Sequence, residues 1–184
     1  MIIFGVESLG LSSNNVALAV SMLCCDEHID YTYESLKNLC VEYKLNVSEQ
    51  VKKGREIDKV TYKWWKTRSE NLQEKYLDIS GMSVVDCLNS INENLKVYRD
   101  NHAPDTIILS RGFLSKYILE SLYRGEGMEC PIKHNQFRET ATMIDCLKES
   151  GSNGFCVTDK NISYSTADLI EKTAYDAYMI LKGQ

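Results

Sequence analysis

Apolar residues run continuously in two short stretches near the start of the chain and then fall into helical stripes. Residues 2–6 are almost wholly apolar, which predicts a strand covered on both faces. Residues 10–15 read as a turn-rich link and 16–23 as a second apolar strand. After a polar turn at 26–30, Tyr31-Thr32-Tyr33-Glu34-Ser35-Leu36 alternates as a strand does, so the chain is expected to open on a three-strand antiparallel meander. Residues 38–60 are polar and carry no strong period. From 59 to 76, Val60, Trp64, Trp65, Leu72 and Tyr76 are spaced for an amphipathic helix. Residues 83–98 make the clearest helix. Val84, Val85, Leu88, Ile91, Leu95 and Tyr98 form its apolar stripe, with Ser83 as cap and Asp86 three residues on.

Residues 105–109 form a compact strand after Pro104, 113–123 a helix ended at Gly125 to Gly127, and 140–147 a short helix. A loop at 150–154 and a helix over 166–181 close the chain. Three strands, helices, a strand, then helices again predict an α/β fold. The expected architecture is one domain over 1–184, a mixed sheet with helices on its faces.

Composition adds little to that outline. Hydrophobic residues make up 43% and charged residues 26% of 184 residues, ordinary values for a soluble globular domain. No apolar run approaches the length of a membrane span, and the first residues do not read as a signal peptide, so a cytoplasmic location without a membrane partner is expected. The seven cysteines contain no C-x-x-C pair and read as buried free thiols in a reducing compartment. A net charge of −5 leans away from a protein that grips phosphates through its own cations. Bound divalent metals would supply the missing charge.

The candidate chemistry begins at Glu7-Ser8-Leu9-Gly10, directly after the first strand. This element resembles the Asp-x-Glu-Thr/Ser-x-Gly opening of the DEDD 3′–5′ exonucleases. Thr61-Tyr62-Lys63-Trp64-Trp65 is similar to the Thr-x-x-Trp-Trp element of a phage and bacterial exoribonuclease-like subgroup. Ser110-Arg111-Gly112-Phe113-Leu114-Ser115-Lys116-Tyr117-Ile118-Leu119 resembles that subgroup's Gly-x-x-Phe-Asp-x-x-Ile-Leu segment, one residue shorter. Arg138-Glu139-Thr140-Ala141-Thr142 sits where the subgroup has Arg-Asp-x-Arg-Thr. The resemblance implies a ribonuclease-H-like fold, a phage-encoded source, and a nuclease site of four carboxylates around two Mg²⁺ or Mn²⁺ ions.

Carried over position by position, most of that site is missing. Gly5 stands for the first aspartate, Glu7 keeps the second acid, and Ser115 stands for the middle aspartate. A histidine-type final motif would align Ser165, Ala167 and Ile170, which loses both functional positions. A tyrosine-type register puts Tyr164 and Asp168 there instead, and a second register around Asp176-Ala177 is conceivable. Asp168 has a plainer role as a first-turn acid favouring the helix dipole. Trp64, Trp65, Arg111 and Arg138 are candidates for lining a nucleic-acid or partner groove, and Arg138-Glu139 has a plain reading as a local ion pair.

One surviving acid cannot hold two hard cations against their hydration. The sequence therefore predicts a catalytically degenerate exonuclease-like protein with no cofactor, acting by binding, with a protein partner favoured over a nucleic acid. Binding to protein calls for an exposed apolar patch. The alternative is an active Mg²⁺- or Mn²⁺-dependent nuclease rebuilt on Glu7, Asp168 and Tyr164, with Glu7 and Asp168 as metal ligands.

Overall fold

The computed structural model describes residues 1–78, 80–102, 106–147 and 167–182. Its centre is a five-stranded mixed open sheet in the order β3-β2-β1-β4-β5. Strands β1 (Ile2–Ser8), β2 (Ala17–Cys24) and β3 (Val41–Lys44) pair antiparallel, while β4 (Ile108–Ser110) and β5 (Phe137–Glu139) run parallel to β1. The two outermost strands are four and three residues long.

Alternation along β1 divides the core in two. Ile2, Phe4 and Val6 face α5 (Val84–Asn101) and α6 (Phe113–Gly125), where Leu88, Ile91, Leu95, Ile118 and Leu119 are buried. Ile3, Gly5 and Glu7 face the other way. There α1 (Tyr33–Leu39), α7 (Thr140–Leu147) and α8 (Leu169–Lys182) cover the sheet, with Ile3 and Leu109 packed among Leu36, Ile144, Ala174, Ala177 and Ile180. Both faces are therefore covered, as the continuous apolar run of β1 predicts.

Three local expectations change. Residues 31–36 are not the third strand. Thr32 accepts a hydrogen bond from the Ser35 N–H at 3.1 Å and starts α1, so cap chemistry overrides the Tyr-Thr-Tyr alternation. The antiparallel trio is completed by β3, which lies in the stretch without a readable period because four residues are too few to show one. Residues 59–76 form two helices, α3 (Lys59–Trp65) and α4 (Glu70–Leu77). The Gln73 side-chain amide donates to the carbonyls of Lys66 and Arg68 in the turn between them. Between β3 and α3 lies α2 (Val47–Lys52), capped by Asn46.

Helices α5, α6, α7 and α8 follow the sequence closely. The strand expected at 105–109 is found as β4 at Ile108–Ser110, and β5 is a short strand that the sequence reading did not predict. Residue 105 of the predicted fourth strand, the 150–154 loop, Thr166 and Cys156 lie outside the described residues. Cys25, Cys40 and Cys87 are buried free thiols, and burial pushes Cys40 and Cys87 up to about 12. Cys24 and Cys130 are only half-buried and Cys146 on α7 is exposed, so these three depart from the expectation. Ser83 caps α5 as predicted, accepting from the Asp86 N–H at 3.0 Å. Ser83→Ala is expected to cost about 1 kcal/mol, measured by urea unfolding. A change below a few tenths would mean that the cap is redundant.

Candidate functional site

Helix α8 crosses the sheet at Gly5, and this contact shapes the site. Gly5 pairs with Ser21 across the β1–β2 ladder, and the Ser21 hydroxyl lies 2.5 Å from that of Thr173 on α8. A Cβ on Gly5 would stand 2.8 Å from Leu169 Cδ1 and 3.1 Å from each of those hydroxyl oxygens. Glycine lets helix and strand approach this closely, and any larger residue would make Leu169 shift. The head of α8 is fixed by Tyr76, whose phenolic oxygen accepts from the buried Leu169 N–H at 2.8 Å and donates to Glu42 at 2.8 Å.

Beside this contact is a cavity of about 130 Å³ lined by Phe4, Gly5, Val6, Glu7, Arg111, Ser115, Leu169, Lys172, Thr173 and Asp176. It joins five of the positions singled out in the sequence: Gly5, Glu7, Arg111, Ser115 and, from the second register of the final motif, Asp176. The other polar walls come from α8. Leu169, Lys172, Thr173 and Asp176 follow the i, i+3, i+4, i+7 spacing of one helix face.

Two ion pairs fill the cavity's polar side. Lys172 Nζ donates to Glu7 Oε1 at 2.6 Å, with both side chains less than one-fifth exposed. Arg111 on the β4–α6 connection grips Asp176 through Nε, at 3.1 and 3.2 Å, and through Nη2. Asp176 is 2% exposed and also accepts from the Thr140 hydroxyl at 3.1 Å. Two carboxylates and two cations leave these four side chains neutral in sum. A carboxylate so buried is retained only when paired and hydrogen-bonded, as this one is.

The other predicted residues go elsewhere. Asp168 does not line the cavity. It exchanges hydrogen bonds with Glu171 at the head of α8, at 2.9 and 3.0 Å, and accepts from Lys75 at 2.8 Å. Burial pushes its carboxyl up, but the bonds from Lys75 and the Glu171 N–H outweigh that and hold it below the usual carboxylate range. Lys75 also pairs with Glu42 at 2.9 Å. Asp168 thus acts as a helix-capping acid inside a chain of ion pairs.

Ile170 packs half-buried against the core under α8. Tyr164 and Ser165 lie outside the described residues. Trp65 is buried and donates its indole N–H to the Ser8 carbonyl at 3.0 Å, so of the tryptophan pair only Trp64 reaches the surface. Arg138 donates to the carbonyls of Asn135 and Phe137 at 2.9 and 2.7 Å. It does not pair with Glu139, since neighbours on a strand point to opposite faces. Glu139 instead accepts from the N–H groups of Gly112 and Thr142, at 2.9 and 2.6 Å.

The donor set does not fit a pair of hard cations. Gly5 offers nothing, Ser115 offers a neutral hydroxyl, and Glu7 and Asp176 each hold a side-chain cation. A divalent ion entering the cavity would meet Lys172 and Arg111 before it met a vacant carboxylate. Among the described residues, no group of three or more His, Cys, Asp or Glu side chains lies close enough together to hold a metal ion. Nor is any helix among them long and apolar enough to cross a membrane.

Lys172, Thr173 and Thr140 are the members of the site that sequence reasoning missed. For Lys172 and Thr173 the signal is the helical spacing from Leu169 to Asp176, which becomes readable once that face of α8 is known to meet β1; Thr140, at the start of α7, carries no such signal. No protein-family model matches the chain, and no curated protein matches it.

Proposed function

We propose that this chain is a degenerate relative of the DEDD 3′–5′ exonucleases that acts by binding a partner, a protein in preference to a nucleic acid. The observation carrying the proposal is the pairing of Glu7 with Lys172 and Asp176 with Arg111 in the cavity that Gly5 and Ser115 also line. In the exonucleases, the corresponding acids hold metal ions that activate water and stabilise charge on the phosphate. On this reading Lys172 and Arg111 take the place of that positive charge beside Glu7 and Asp176. The strand order β3-β2-β1-β4-β5, with an antiparallel β1-β2-β3 trio, supports the ribonuclease-H-like part of the reading.

Purified protein incubated with Mg²⁺ or Mn²⁺ and end-labelled single-stranded DNA or RNA is expected to leave the substrate at full length. Calorimetric titration with Mn²⁺ is expected to give no saturable heat. Metal-dependent shortening that disappears in Glu7→Ala would sink the proposal and favour the rival nuclease built on Glu7, Asp168 and Tyr164.

A further inference from the structure

We infer that the outer face of α3, with Leu11 and Ile57 beside it, docks an acidic segment of a partner protein that carries apolar anchors. The inference rests on the binding reading above and names the chemistry of the partner. Val60 and Trp64 lie one helical turn apart and are 75% and 44% exposed. Leu11, 84% exposed, and Ile57 line one open depression with Asp58 and Lys59 at the start of the helix. Single exposed apolar side chains are ordinary, but two exposed apolar pairs, Val60 with Trp64 along α3 and Leu11 with Ile57 at the depression by its start, mark an interaction surface.

Charge singles out the same face. Residues 59–69 hold four cations, Lys59, Lys63, Lys66 and Arg68, and no acid, in a chain of net charge −5. Many lysines elsewhere, such as Lys44, Lys53, Lys75 and Lys172, are held in ion pairs, and those among the described residues that are not, Lys52, Lys96 and Lys133, are scattered along the sequence and not clustered. Lys59, Lys63 and Lys66 have no ion-pair partner among the described residues. The depression itself carries two carboxylates, Glu56 and Asp58, the latter bonded to the N–H and hydroxyl of Thr61, each at 2.7 Å, so the lysines along α3 are the positive part of the surface. Acidic side chains would meet these lysines while apolar anchors covered Val60, Trp64, Leu11 and Ile57.

Trp64 argues for protein over nucleic acid. The Arg68 guanidinium covers its ring at 4.4 Å, and Trp65 meets it nearly perpendicular at 5.3 Å. A base stacking on that covered face would have to displace Arg68. Val60, Leu11 and Ile57 are aliphatic and give a base no ring to stack on, and the exposed Tyr62 ring of the same helix is overlain by Lys66 at 5.6 Å. The surface is also firmly mounted, through the bond from Trp65 to Ser8 and the Asp58 N–H donating to the Leu9 carbonyl at 2.8 Å.

A random-peptide display library panned against the intact protein tests this. Recovered peptides are expected to be enriched in Asp and Glu with interspersed Leu, Phe or Trp, and to bind less tightly as salt rises. Their affinity should fall roughly tenfold or more in Trp64→Ala and in Lys63→Glu. Val60→Ser, at a side chain too exposed to hold the fold, should weaken them as well. Peptides without acidic enrichment, equal binding by all the variants, or no recovery would each overturn the inference. So would binding of labelled oligothymidylate that is lost on the same substitutions, which would make the face a nucleic-acid surface. Metal-dependent shortening of that oligonucleotide would instead count against the non-catalytic reading, and peptide recovery is blind to it.

Discussion

Arg111→Met is expected to lower the stability of the fold by about 3–5 kcal/mol, the cost of leaving a buried carboxylate without its cation. Asp176 is 2% exposed, and its bidentate contact with Arg111 is lost in one step, while the Thr140 hydroxyl supplies a neutral hydrogen bond that cannot replace a charge. Against a total of about 5–15 kcal/mol for a domain, that is a large fraction, and the melting temperature should fall by roughly 10 °C. Urea unfolding should show a lower midpoint with an unchanged slope. The double variant Arg111→Met with Asp176→Leu should recover most of the loss, because removing both charges removes the desolvation cost together with the attraction. If the single variant costs less than about 1 kcal/mol, water reaches Asp176 and solvates its carboxylate in place of Arg111.

Restoring the first acid is the second test. Gly5→Asp is expected to destabilise the protein by about 1–3 kcal/mol from overpacking alone, without conferring Mn²⁺ binding or nuclease activity. The new Cβ would press on Leu169 at 2.8 Å and on the Ser21 and Thr173 hydroxyls at 3.1 Å. Leu169 is the neighbour able to give way, so the cost of Gly5→Asp should be smaller in a Leu169→Ala background than in the parent chain. Unfolding free energies for the four members of that cycle measure the coupling. A Gly5→Asp protein as stable as the parent, and binding Mn²⁺ with micromolar affinity, would mean that the missing side chain was the only obstacle.

The sequence made the fold legible where periodicity was long or burial complete. Helix α5 spans five turns, and its stripe and cap both read correctly; β1 and β2 read as covered strands because almost every residue is apolar. Shorter elements escaped for specific reasons. Thr32 turned an alternating stretch into α1, β3 was too brief to display a period, and the Gln73 amide stabilised a break between two helices that share one apparent stripe. For the site, the order of motifs brought Gly5, Glu7, Arg111 and Ser115 to one cavity. The face of α8 did not follow from sequence, because polar Lys172, Thr173 and Asp176 lie on a side that meets the sheet. A rotation of 100° per residue makes neighbouring registers equally plausible until the strand beneath them is known.

The short outer strands have a consequence for how the protein behaves when concentrated. An exposed sheet edge is a template on which further chains can add, and long flat edges are where fibres and amorphous aggregates start. Here β3 offers four residues and β5 three, so an incoming strand finds little backbone to pair with at either border. Turbidity in concentrated solutions should therefore respond to Val60→Ser and Trp64→Ala, and not to substitutions in β3 or β5.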